Sequence, residues 1–384
     1  MHKSLNVLKP VYDTGSILES IKETLESGWT GDGGKTKELE ESWRSFSEWH
    51  FNIYVNSCTA ALHLALLALK EKYPAKSKVL VPDITFVSTA AVVKQCGLDL
   101  VLVDVDKDLI IELDSVEDTD EEDTLAVIYV GIGGNTKNLK ELSRVCERKK
   151  IKLVVDAAHM GGSRLEDKKE ISKEVNIEFA CYSFQAVKNI GIADSGMICF
   201  NEKEYLSEIK KYRWMGISET TYERTIGGKN SYKWEYEIDR LGYKYNGNAL
   251  VAACCLTILK KADEQNEHRR CIRNKYMEEL TDCDKVDFIV HDNESETSGH
   301  LAQILLNRNL EQKKRNEFIG KLNSKLIYPG VHYRPLSLSK YYSIYGGKCK
   351  KSKNIGERIV SLPCHLDISM DDVKYISDWV KEYA

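Results

Sequence analysis

Seven short apolar runs recur between residues 50 and 200: Phe51–Val55, Val79–Val81, Leu100–Val103, Leu125–Val130, Ile151–Val155, Glu178–Tyr182 and Gly196–Phe200. Between them lie loops and segments such as Ala60–Leu69 and Leu139–Arg148, in which apolar residues return at helical spacing. Short runs with little polar alternation read as strands buried on both faces. Strands alternating with helices imply an α/β fold, a mainly parallel sheet covered by helices on both sides. In such sheets ligands gather at the carboxyl ends of the strands. Chemistry is therefore to be sought immediately after each run.

The rest of the chain divides around this pattern. Residues 1–246 read as one large domain that includes two N-terminal helices flanking Gly28-Trp-Thr-Gly-Asp-Gly-Gly34. Residues 247–282 read as one long connecting helix, because Gly247 to Leu280 is rich in Ala, Leu, Glu, Lys and Arg with no Pro or Gly after its start. Residues 283–384 carry strand-like Val286–Val290 and His300–Leu306 and helical Glu311–Leu322 and Met370–Glu382, a smaller α+β domain. No internal repeat is present, and acidic Glu117–Asp123 reads as a solvated loop.

Composition narrows the function. A net charge of −4 with scattered Lys and Arg, the densest basic run being Lys348–Lys353, argues against a nucleic-acid-coating or membrane-surface protein. No apolar run approaches a membrane span and the first residues lack a leader-like core, so the cytoplasm is the expected compartment. Eleven cysteines without a CxxC, several inside apolar runs, read as reduced, buried thiols and not as metal ligands.

Four strand ends carry candidate chemistry. Asp156 directly follows a buried strand, where a carboxylate is costly unless paired; a lone Asp there is more often a cap or a local salt bridge. Lys188 lies five residues beyond Ser183, among apolar and small residues. A lone loop lysine is usually solvated, but these neighbours suggest restricted water and a depressed pKa, suited to Schiff-base chemistry. At Ser57-Cys58-Thr59 a strand hands over to a helix, giving either a phosphate cup or ordinary N-capping, with little to choose between them. Phe86 follows Val81-Pro-Asp-Ile-Thr, placed to stack on a flat ring although core is its commoner fate. Together these form the set that pyridoxal 5'-phosphate needs: an amine for its aldehyde, a carboxylate for its ring nitrogen, a phosphate cup and a stacking partner.

With these residues in view, Asp156-Ala-Ala-His159, Ser183-Phe-Gln-Ala-Val-Lys188, the stretch Asn56–Leu66 and Leu241-Gly-Tyr-Lys-Tyr-Asn246 resemble the DegT/StrS family of sugar aminotransferases. The likeness runs from Gly28-Trp-Thr-Gly to Leu362-Pro-Cys-His-Leu366 and implies the fold type I aminotransferase architecture. It implies that Lys188 is the catalytic lysine, bonding the cofactor and shuttling the proton. Asp156 then pairs with the ring nitrogen and His159 lies beside the ring. Ser183, Thr59 and the backbone around Cys58 hold the phosphate, and Phe86 stacks. The family's sites lie at a homodimer interface, with the Gly242–Asn246 loop reaching the partner's phosphate. The commonest version reads Gly-Tyr-Asn-Tyr-Arg; here Lys244 and Asn246 stand in place of that Asn and Arg. Trp29 and Thr30, with His332 and Tyr333 beside Arg334, correspond to substrate-facing regions.

The implied reaction moves an amino group from glutamate to a nucleotide-linked keto sugar, giving an amino sugar, with the segment from Val331 to Leu336 leaning toward a 4-keto-6-deoxy sugar. Related sugar dehydratases carry His in place of the lysine, so Lys188 argues against that chemistry. Intact Asp156, Ser183 and Lys188 argue against a silent scaffold. A nicotinamide-binding protein is disfavoured because Gly131-Ile-Gly-Gly-Asn135 is not GxGxxG.

Overall fold

The computed structural model describes residues 3–165, 168, 170–226, 236–292, 296–306, 312–347 and 349–384. Its strands are β1 (Leu5–Asn6), β2 (Phe51–Val55), β3 (Lys78–Pro82), β4 (Asp99–Val103), β5 (Thr124–Val130), β6 (Lys152–Asp156), β7 (Phe179–Ser183), β8 (Gly196–Phe200), β9 (Val286–Phe288), β10 (Ala302–Leu306), β11 (Ile327–Tyr328) and β12 (Ile359–Leu362). All seven apolar runs of the first half are strands, and they form one sheet in the order β2-β8-β7-β6-β5-β3-β4. Every pairing is parallel except the two that β8 makes, with β2 and β7. The strand ends of β2, β3, β5, β6 and β7 therefore share one edge of the sheet with the start of β8.

Successive strand residues enter opposite cores, which is why the runs lack polar alternation. Val55, Val81, Ile128, Val154, Cys181 and Ile198 meet the helices Cys58–Lys72, Val87–Gln95 and Tyr205–Arg213 on one face. Tyr54, Leu80, Val127, Val155, Tyr182 and Met197 meet the helices Gly34–Ser47, Leu139–Arg148 and Ala249–Leu259 on the other. Burial of this apolar area on both faces, at about 25 cal/mol per Å², is the main term holding the sheet. All eleven cysteines are free, and only Cys271 and Cys283 are not buried.

Two boundaries differ from the sequence reading. The segment 247–282 is not one helix but two, Ala249–Leu259 and Ala262–Leu280. The break falls at Lys260–Lys261, where the sequence changes from an apolar helix buried nearly all round to a charged, one-sided helix. No Pro or Gly marks it; the two helices answer to different cores. In addition, β1 does not join the large domain. It pairs in parallel with β11, and Leu5 lies in the C-terminal core with Ile272, Tyr276, Phe318 and Ile376. That core also packs the antiparallel β12-β10-β9 sheet.

The loop Gly28–Gly34 is tied down by charge. Arg213, 5% exposed, meets Asp32 at 3.1 Å and Glu40 at 3.6 Å, and donates to the Tyr54 carbonyl at 3.0 Å. Burial pushes the Glu40 carboxyl up to about 7 against the pull of Arg213. Among the described residues no helix is long and apolar enough to cross a membrane.

Candidate active site

A cavity of about 480 Å³ opens at the shared strand edge, lined among others by Cys58, Thr59, Phe86, Asp156, His159, Ser183, Lys188, His300, His332 and Tyr333. Each strand contributes through the turn that ends it. After β2, Ser57 caps the helix Cys58–Lys72, its hydroxyl accepting from the Ala60 N–H at 3.0 Å. The ordinary cap thus holds, and it leaves the first-turn N–H groups of Cys58 and Thr59 without intrahelical carbonyls, beside the hydroxyls of Thr59 and Ser183 on the cavity wall. After β3, Phe86 is the N-terminal boundary of the next helix and stays 55% exposed on the cavity wall.

Asp156 ends β6, buried. Its carboxylate accepts from Thr89 Oγ1 at 2.7 Å and from the Ala158 N–H at 3.2 Å. Burial pushes its pKa upward; those hydrogen bonds and the charge of Lys188 hold the rise in check. Lys188 closes the turn after β7, its N–H bonded to the Gln185 carbonyl at 2.7 Å. Burial lowers its ammonium to about 8, opposed by Asp156. No hydrogen bond from Lys188 Nζ is made to another described residue, so the amine is available to a ligand. A carboxylate and an amine that loses its proton more readily than an ordinary lysine, sharing one cavity, fit an aldehyde-bearing, basic aromatic cofactor with an anionic tail.

A further stretch of the cavity wall joins His159, just beyond β6, to His300, His332 and Tyr333 of the C-terminal part. His159 accepts the Gly133 N–H on Nδ1 at 3.2 Å, and its Nε2 lies 3.2 Å from the Tyr333 hydroxyl. The His300 ring packs on His159 with centroids 4.3 Å apart, and its Nδ1 is 2.6 Å from Asn189 Oδ1. His332 Nδ1 meets Ser361 Oγ at 2.9 Å. Burial holds all three imidazoles below the usual histidine range, and the Lys188 charge adds to this.

Most residues singled out from the sequence are therefore brought together. Five are not, within one chain. Lys244 and Asn246 line a separate cavity of about 180 Å³ with Trp29, Asp32 and Trp214. There the Lys244 ammonium lies 3.5 Å from the centre of the Trp214 ring, and Trp29 donates to the Asp32 carbonyl at 2.9 Å. Thr30 lines neither of these two cavities; its carbonyl accepts the Ala249 N–H at 3.0 Å. Arg334 is exposed and bonds the Leu338 carbonyl.

Sequence reasoning missed Thr89, Asn189, His300 and Leu8, all of which touch the site or its residues. Thr89 had a signal: Thr85 and Thr89 are spaced to share one face at a helix start, and their hydroxyls lie 2.8 Å apart. His300 and Leu8 had none, since only the tertiary fold brings them to this edge.

The model of the DegT/DnrJ/EryC1/StrS aminotransferase family matches residues 12–381. The chain belongs to that family. It is a pyridoxal-phosphate-dependent aminotransferase, of fold type I. An uncharacterized protein of Methanocaldococcus jannaschii, MJ1066, is 31% identical over 370 residues, 95% of this chain and 94% of its own. Among solved structures, Helicobacter pylori PseC, an aminotransferase involved in pseudoaminic acid biosynthesis, matches with a TM-score of 0.90 at 22% identity over 99% of each chain. The PLP form of Spr1654, a putative sugar aminotransferase from Streptococcus pneumoniae, matches at 0.88 with 26% identity over 99% of this chain and 98% of its own.

Proposed function

We propose that the enzyme transfers an amino group from glutamate to a nucleotide-linked keto sugar, a 4-keto-6-deoxy sugar in the first instance, giving an amino sugar for glycan or secondary-metabolite synthesis. The observation that carries this reading is the pair Lys188 and Asp156 in one cavity, the amine lowered to about 8 by burial. Family membership and the likeness to Spr1654 support a sugar as the acceptor.

Each residue then has a task. Lys188 would hold the cofactor through its Nζ and, when that amine is free, would carry a proton to and from the substrate carbon. Bound pyridoxal phosphate supplies the electron sink for that carbon. Asp156 keeps the ring nitrogen protonated, held in place by Thr89. Ser183, Thr59 and the helix N-terminus at Cys58 take the phosphate, while Phe86 and His159 flank the ring. His332 and Tyr333 face the sugar. Lys244 and Asn246, with Trp29 and Thr30, serve the site of a second copy in a homodimer.

The test is the visible absorption spectrum before and after glutamate, followed by a screen of keto-sugar nucleotides. A cofactor band bleached by glutamate and restored by a 4-keto-6-deoxy sugar nucleotide is expected. A protein that takes up no pyridoxal phosphate overturns the residue assignments, and a band indifferent to glutamate overturns the donor.

A further inference from the structure

Hydrogen bonds fix the polarity of the stretch of cavity wall that carries His159 and Tyr333. A backbone N–H only donates, so the bond from Gly133 to His159 Nδ1 makes that nitrogen the acceptor. A protonated imidazole would set an N–H against the Gly133 N–H. The ring is thus neutral with its proton on Nε2, and Nε2 donates to the Tyr333 oxygen at 3.2 Å. The Tyr333 hydroxyl makes no other hydrogen bond among the described residues, and the side chain lines the cavity.

The neighbouring ring is fixed by a second chain of bonds. Asn266 Nδ2 donates to the Gly161 carbonyl at 2.9 Å, which turns its Oδ1 toward Asn189 Nδ2 at 2.7 Å. Asn189 Nδ2 also donates to the Ser298 carbonyl at 2.7 Å. Backbone carbonyls thus anchor both amides, and Asn189 Oδ1 is left to accept from His300 Nδ1. The two neighbouring imidazoles, their planes tilted by 38°, carry their protons on opposite nitrogens.

We propose that the relay Gly133–His159–Tyr333 makes the Tyr333 phenol an obligate hydrogen-bond donor to the substrate's carbonyl oxygen, with His159 as the positioning residue that sets its direction. This rests on the transamination reading and deepens it. A phenol already accepting a hydrogen bond is the stronger donor, because successive bonds polarise one another. A donor fixed before the substrate arrives stabilises charge growing on that oxygen without reorganisation. A group that can only donate, placed there, would gain nothing.

Two measurements test this. The first needs no cofactor: long-range proton–nitrogen NMR of the apo-protein labelled at its nine histidines, with His159→Gln and His300→Gln to assign signals. His159 is expected as the neutral Nε2–H form and His300 as Nδ1–H at pH 7. A His159 carrying its proton on Nδ1, or on both nitrogens, overturns the proposal. The second is Tyr333→Phe, read by half-reactions. Cofactor uptake should match the wild type, and kcat for the keto substrate should fall by about tenfold to a hundredfold with KM little changed. An unchanged kcat overturns the proposal, whereas a wild type that never bleaches with an amino donor overturns the transamination reading instead.

Discussion

Thr89 donates a 2.7 Å hydrogen bond to the buried carboxylate of Asp156 from the helix that follows Phe86. The same hydroxyl touches Thr85, so a small hydroxyl pair joins the Ala158 N–H and the charge of Lys188 in holding the carboxylate. Hydrogen bonds to a charged group contribute about 1.5–3 kcal/mol each. Thr89→Val keeps the shape and removes the donor. We expect unfolding in urea to show a loss of about 1–3 kcal/mol, and the cofactor dissociation constant, read by titrating the visible band, to rise about tenfold.

Lys188, lowered to about 8 by burial, gives the pH dependence a definite sign. Only the neutral amine attacks an aldehyde, and its fraction grows as pH rises through that value. The rate at which apo-protein captures pyridoxal phosphate should climb about tenfold from pH 7 to 9 and then level off. Stopped-flow absorbance follows it directly. A rate still climbing steeply above pH 10 would mean an ordinary solvated lysine. Lys188→Ala should capture none covalently and lose steady-state transfer by about a thousandfold or more.

Arg213 sits between two acids, and its loss strands both. Arg213→Leu should cost about 3–5 kcal/mol, as breaking a buried pair does. The cost should also depend on pH. Glu40, at about 7 in the folded protein, binds its proton more tightly than in the unfolded chain, so its contribution weakens as pH rises from about 4.5 through 7. Without Arg213 the carboxyl is pushed higher still, and the deficit should be larger at pH 8 than at pH 5. Urea titrations at the two values decide it.

Gly196 begins β8 hard against the start of the helix Cys58–Lys72. An added Cβ would lie 2.6 Å from the Tyr182 carbonyl oxygen and 2.7 Å from the Cys58 nitrogen, both backbone atoms. Gly196→Ala must push the strand and the helix N-terminus apart. A loss of about 1–3 kcal/mol is expected, together with weaker binding of pyridoxal phosphate and of inorganic phosphate as a competitor.

Much of this was readable from residues alone, for physical reasons. The sheet was visible because both its faces are buried, which leaves uninterrupted apolar runs. Asp156 and Ser183 were visible because they follow those runs directly, and Lys188 because its neighbours in sequence are apolar and small. The break at Lys260 was hidden, since it reflects a change of packing partner and no helix-breaking residue. His300 was hidden because its role depends on Asn189, 111 positions away. Lys244 and Asn246 were legible only by resemblance, and a single chain sets them in a different cavity from Lys188.

The pairing of β1 with β11 joins Leu5 to Ile327, residues more than three hundred positions apart. Leu8, just beyond β1, is part of the wall around Lys188. During synthesis the large sheet has all its strands long before residue 327 exists, so Leu8 waits for its anchorage. Contacts this distant in sequence are slow to form. A cavity whose wall needs Leu8, His332 and Tyr333 is thus completed only by the last part of the chain to be made, long after the strand ends that carry Asp156 and Ser183.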